Sequence, residues 1–129
     1  MAPPRRLLAP LAAVALLAGC AGSPDDQVRS ALKGYASAFA RHDYQALCKT
    51  YFAPKFVEGI EESGLPCESA VRPAAISATR PRLTVTSVRV KGDTATARVH
   101  TTADNQPPAD ETITLVHVSG SWRISAPPR

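Results

Sequence analysis

The sequence predicts one α+β domain in which N-terminal helices pack on a curved, four-stranded antiparallel sheet. Three observations carry that prediction. Apolar residues recur at three- and four-residue steps between residues 24 and 63, which is the helical period. From Arg82 onward the chain turns rich in Val and Thr, as strands are. Two tight-turn pairs, Gly92-Asp93 and Ser119-Gly120, then cut this second half into hairpins.

Taken in order, Ser23-Pro24-Asp25-Asp26 has the form of a helix start, with Ser23 as N-cap and Pro24 at the first helical position. The first helix is predicted from Pro24 to Arg41, with Val28, Leu32, Tyr35, Ala36, Phe39 and Ala40 as its apolar stripe. Asp43 caps a second helix carrying Tyr44, Leu47, Cys48 and Tyr51 inward, which Pro54 stops. A third, about Lys55 to Ser63, buries Phe56, Val57 and Ile60 and ends at Gly64. Pro73 to Pro81 reads as a proline-bounded connection.

The first strand is predicted over Arg82 to Lys91. Pairing across Gly92-Asp93 sets Val90 opposite Ala95 and Val88 opposite Ala97. Leu83 and Val85 have the opposite parity to Val88 and Val90, so burying all four requires a bulge near Thr86-Ser87. The third strand, about Glu111 to Val118, follows a polar loop holding Asp104, Asn105, Pro107 and Pro108. The fourth, Ser121 to Ser125, places His117 opposite Trp122 and Leu115 opposite Ile124. Residues 127–129 read as a loose tail.

Ahead of the domain, Arg5 and Arg6 precede an apolar run from Leu7 to Leu17, the length of a signal-peptide core and short of the ~20 residues a spanning helix needs. Leu17-Ala18-Gly19-Cys20 resembles the lipobox of bacterial lipoproteins: an aliphatic residue, two small ones, then a cysteine that is acylated before the leader is removed. The resemblance implies a leader over residues 1–19, a lipidated tether over 20–23 and a domain over 24–126. The partner it implies is the membrane, through Cys20, on the extracytoplasmic side of the cell membrane. The other reading is an ordinary secretory leader with a chance cysteine, and both export the chain.

Removing the leader leaves 110 residues, enough for one small domain. The full chain has 15 basic and 11 acidic residues; without Arg5 and Arg6 the balance is 13 against 11, too even and too scattered for a nucleic-acid surface. Of three cysteines, assigning Cys20 to lipid leaves Cys48 and Cys67, for which an oxidising compartment favours a disulfide. A metal site would need further ligands at recognisable spacing, and only His42 lies nearby. No metal or other cofactor is expected.

Helices followed by an antiparallel meander that closes in Gly120-Ser121-Trp122-Arg123-Ile124 resemble the NTF2-like superfamily, a cone of curved sheet wrapped on a long first helix. The matching pieces are the first helix, Asp43-Tyr44-Gln45-Ala46-Leu47-Cys48, Cys67, the Val88 to Ala95 hairpin and the Trp122 strand. The chain looks like the small secreted or lipid-anchored members from high-GC Gram-positive bacteria. It departs in lacking a clear strand between the second helix and Pro81, which implies a shallower cone.

Such a fold does not select an activity. Members resembling ketosteroid isomerase work with acidic side chains inside the cone beside a tyrosine. Here each carboxylate is read at a helix start, a helix surface, a turn or a strand end, Glu111 among the last. No catalytic residue is therefore assigned. The candidate ligand contacts are His117 and Trp122, facing each other across the last hairpin, and Tyr35 on the first helix. Each has a plain alternative as a packed core residue. Ala95 and Ala97 leave the inner sheet face low, either for close packing of the first helix or for an apolar ligand. The reading favoured is a non-catalytic, membrane-anchored envelope lipoprotein binding a protein partner or a small apolar ligand; the alternative is a small isomerase- or cyclase-like enzyme.

Overall fold

The computed structural model describes Ala2 and residues 22–129, so the leader and Cys20 lie outside the described residues. Four helices, α1 (Pro24–Ala40), α2 (Tyr44–Ala46), α3 (Pro54–Glu61) and α4 (Cys67–Ser77), precede four strands, β1 (Arg82–Lys91), β2 (Thr94–Ala103), β3 (Gln106–Val118) and β4 (Ser121–Ala126). The strands form one antiparallel sheet in the order β1-β2-β3-β4. The predicted fold class is the observed one.

Helix α1 begins as its sequence demands. The Asp26 amide donates to Ser23 Oγ at 3.2 Å, and Asp26 Oδ2 accepts from the Ser23 amide at 3.4 Å. This reciprocal cap satisfies two amides that the first turn leaves free. Val28 and Leu32 are fully buried against the inner sheet face, where Ala95, Ala97, Val99, Ile113, Leu115, Trp122 and Ile124 complete the core. The low face at Ala95 and Ala97 is filled by close packing, with both residues at most 2% exposed.

Registers follow the turns. Val90 pairs with Ala95, Val88 with Ala97, Leu115 with Ile124 and His117 with Trp122. The bulge falls between Val85 and Ser87, where the Thr86 hydroxyl donates to the Arg98 carbonyl at 3.0 Å. That one extra residue turns Leu83 and Val85 onto the same side as Val88 and Val90.

Several features depart from the sequence-based expectation. The second helix lasts one turn and continues as a π-helical turn over Leu47–Tyr51, closed by the Phe52 amide on the Leu47 carbonyl at 2.9 Å. The expected connection after Cys67 is largely helix α4, with an exposed Pro73 inside it. Proline's missing N–H costs least on a solvent face, while buried Cys67 and Ala75 hold the helix on the core. In keeping with the lack of a clear strand expected between the second helix and Pro81, Phe52 makes only a single parallel bridge to Ile124, with the Ala53 amide donating to the Ile124 carbonyl at 2.8 Å. The tail is tied down: Arg129 exchanges both backbone hydrogen bonds with Thr112.

Cys48 and Cys67 are bonded, joining the π-helical turn to the start of α4. A second close approach lies at Gly34, where an added Cβ would sit 2.5 Å from the Tyr51 hydroxyl oxygen and 2.6 Å from its ring. Ordinarily Gly to Ala inside a helix stabilises by up to ~1 kcal/mol. Here Gly34→Ala should instead destabilise, by about 1–2 kcal/mol, because forcing a packed ring aside costs about 1–3 kcal/mol. Urea denaturation of the two proteins measures the sign.

Candidate functional site

Between α1, α4 and one end of the sheet lies a partly open cavity of about 400 Å³. Its walls are mostly apolar: Tyr35, Ala36 and Phe39 from α1, Ala74 and Ala78 from the α4 end, and Leu83 from β1. Its polar groups come mainly from the sheet, where Thr101 and Thr102 on β2 and Glu111 on β3 are half-buried, with Ser77 of α4 and the Tyr35 hydroxyl adding to them. Arg82, Gln106, Pro107 and Pro128 are exposed and form the rim. An apolar chamber with a small number of convergent polar groups is the usual form of a small-molecule site.

Glu111 is the residue that sequence reasoning misplaced. Strand β3 starts at Gln106 rather than near Glu111, because the β2–β3 reversal is confined to Asp104-Asn105 and Gln106, Ala109 and Asp110 already pair with β2 across a register irregularity. Glu111 is therefore in mid-strand, opposite the buried Val99, and shares that residue's inward face. Thr101, two residues along β2 on the same face, donates its hydroxyl to Glu111 Oε2 at 3.2 Å. The missed signal was Gln106 to Asp110, whose two prolines read as loop; Pro107 and Pro108 are nonetheless accommodated in the strand.

Tyr35 reaches the same chamber from α1. Its ring centroid lies 6.1 Å from those of Phe39 and Phe52, and its hydroxyl has no hydrogen-bond partner among the described residues. Burial, with the Glu111 charge adding to it, pushes the Tyr35 phenol from 10.0 up to about 12. The group is thus a neutral donor at any physiological pH. The sign of the linked stability follows: a raised phenol pKa contributes stability that is whole below pH 10.0 and is lost as pH rises toward 12. Tyr35→Phe should lack that alkaline loss. Glu111→Gln should shift the Tyr35 ionisation downward, and difference absorbance titration of the phenolate reads it.

A clasp closes the wall between α4 and β1. Asn105 accepts from the Thr79 amide at 2.8 Å and donates to the Ser77 carbonyl at 2.7 Å, while the Asp104 amide donates to the Thr79 carbonyl at 2.8 Å. Arg80 and Asp104 form an ion pair beside it.

The remaining candidates are elsewhere. His117 and Trp122 do face each other, ring centroids 5.0 Å apart, but neither lines the cavity. Trp122 is 7% exposed and belongs to the core. It also borders a shallower, more open hollow with Gly22, Asp26, Ser30, Tyr51 and Arg123, of which His117 is no part. The structure thus brings Tyr35 together with Glu111 and leaves His117 and Trp122 at the other end of the sheet. Cys20 lies outside the described residues. Among the described residues, no group of three or more His, Cys, Asp or Glu could hold a metal ion.

No protein-family model matches the sequence, and no curated protein matches it. Solved structures do. An NTF-2 like protein of unknown function from Silicibacter pomeroyi superposes with a TM-score of 0.57 at 21% identity, over 81% of this chain and 94% of the other. A candidate dehydratase of the NTF2-like family from Streptomyces avermitilis gives 0.52 at 18% identity, over 77% and 88%. A de novo designed NTF2-fold protein gives 0.56 at 14% identity, over 81% and 85%. With helices on a four-stranded antiparallel sheet and these structural likenesses, the chain has the NTF2-like fold.

Proposed function

We propose that the protein is an exported lipoprotein, anchored to the outer face of the cell membrane through Cys20, whose NTF2-like domain holds a small, mainly apolar ligand. The observation that carries the ligand reading is the chamber that Tyr35 and Glu111 both line among apolar walls, near enough for the Glu111 charge to act on the Tyr35 phenol. The anchor reading rests on Leu17-Ala18-Gly19-Cys20, which resembles the lipobox of bacterial lipoproteins. Tyr35 donates and Glu111 accepts, so a ligand hydroxyl or enol could satisfy both at once. A ligand carboxylate would meet the Glu111 charge and be disfavoured.

Native mass spectrometry of the protein purified from its own host tests the chamber. A retained small molecule is expected on the wild type, absent from Ala36→Leu, which fills the chamber wall, and weakened by Glu111→Gln. A protein partner retained instead, with no small molecule on any form, would replace the ligand reading by a protein-interaction one. For the anchor, Cys20→Ala should move the protein from the membrane fraction to the soluble one; identical partition of the two forms would remove the lipid assignment.

A second reading has one specific observation behind it. Glu111 is an inward carboxylate near a buried tyrosine, which suits proton abstraction next to a carbonyl, with Tyr35 donating to the oxygen that gains charge. Incubating the protein with host metabolite extract in heavy water distinguishes the two. Deuterium incorporation that Glu111→Gln abolishes would make the domain an isomerase- or cyclase-like enzyme; none would leave it a binding module.

A further inference from the structure

We infer that the end of the domain holding the start of α1 is the surface that rests on the bilayer, and that the cavity opens at the opposite end, so that its ligand arrives from the aqueous side of the envelope. The inference rests on the lipid-anchor reading proposed above.

The start of α1 and two chain reversals meet at one end. Gly22, at the start of α1, lines the shallow hollow together with Gly120, Ser121 and Trp122, which places the β3–β4 turn beside it. The β1–β2 turn is at the same end, since the His117 amide donates to the Asp93 carbonyl at 2.8 Å and Thr94 pairs with Val116. From Cys20 to Ser23 the backbone can span at most ~11 Å. An acylated Cys20 therefore keeps this end within about a tether's reach of the headgroups.

The composition of that end suits contact without insertion. Ser23, Asp26, Lys91, Gly92, Asp93, Ser119 and Gly120 are exposed and polar or small. Among the described residues, the two large exposed apolar ones, Leu65 and Ile76, lie just before and on α4 instead.

The cavity lies far from this base. From Ser23 to Tyr35 and Phe39, twelve to sixteen helical residues, the rise is ~18–24 Å. Along β3, from Val116 to Ala109, the seven-residue step spans ~23 Å. The rim residues Gln106 and Pro107 stand beyond that, at the β2–β3 turn. An acyl lipid leaving the leaflet would have to cross this gap through water. The site is placed instead for a small amphiphile already dissolved in the envelope space.

Full-length protein in vesicles of phosphatidylethanolamine and phosphatidylglycerol tests the orientation. A dye is attached through Asp93→Cys at the base or Ala109→Cys near the rim, both exposed positions, and a headgroup-linked quencher is added to the lipid. Flotation comes first: wild type and both labelled forms should rise with the vesicles and Cys20→Ala should not. Failure there overturns the anchor and this inference with it. Given flotation, quenching at position 93 should exceed that at 109 severalfold. Equal quenching, or the reverse order, overturns the orientation while leaving the anchor standing.

Discussion

Trp122→Ala is expected to destabilise the domain by about 3–5 kcal/mol, the range for removing a large aromatic side chain from a packed core. The indole is 7% exposed on the inner face of β4, in one cluster with Val28, Leu32, Leu115 and Ile124. Helix α1 crosses above it, with Asp26, Ser30 and Ala31 around the same hollow. That position joins the first helix to the last strand, the two ends of the domain's sequence, so little nearby chain can collapse into the space. A domain of this size is stable by about 5–15 kcal/mol in total, so the loss would be a third or more of it. Urea denaturation, with Trp122→Phe as a milder control, gives the magnitude. A loss below about 1 kcal/mol would mean the indole is not a core plug. His117→Ala, at a half-buried position outside both hollows, should cost far less.

Removing the disulfide is the second large effect. Cys48 and Cys67 are 19 residues apart, and closing a loop of that length contributes on the order of 3 kcal/mol by restricting the unfolded chain. The double variant Cys48→Ala/Cys67→Ala should lose about that much in denaturant melts. The bond also has a local task. Helix α4 begins at Cys67 with no side-chain cap and carries Pro73 in its interior, so its own propensity is poor. Tethering its first residue to the turn below compensates. Amide exchange should therefore rise more in α4 than in α1 when the bond is removed, and uniform loss of protection would reject this local role. Because α4 supplies Ala74 and Ser77 to the cavity, ligand retention should fall along with it.

The sequence by itself determined whatever depends on neighbours along the chain. Ser23 and Asp26 cap α1 because both partners lie within one turn of each other. The turns at Gly92-Asp93 and Ser119-Gly120 set the registers of two hairpins, since a tight turn leaves one way to pair the residues flanking it. Parity alone located the bulge near Thr86-Ser87, and elimination paired Cys48 with Cys67.

Only the tertiary structure decided what depends on distant partners. Residues 106–110 read as loop by composition, yet β2 offers them a ladder and Arg129 returns to pair with Thr112, so β3 lengthens and Glu111 moves from a strand end to mid-strand. Helix α4 holds despite Pro73 because a disulfide and buried contacts outweigh local propensity. The meeting of Tyr35 with Glu111 joins residues 76 positions apart, and nothing local in the chain encodes it. Trp122 and Tyr35 were both legible as inward residues, but which faced core and which faced a chamber was not. Periodicity reports the face a side chain takes; whether neighbouring elements fill the space beyond that face is a property of their packing.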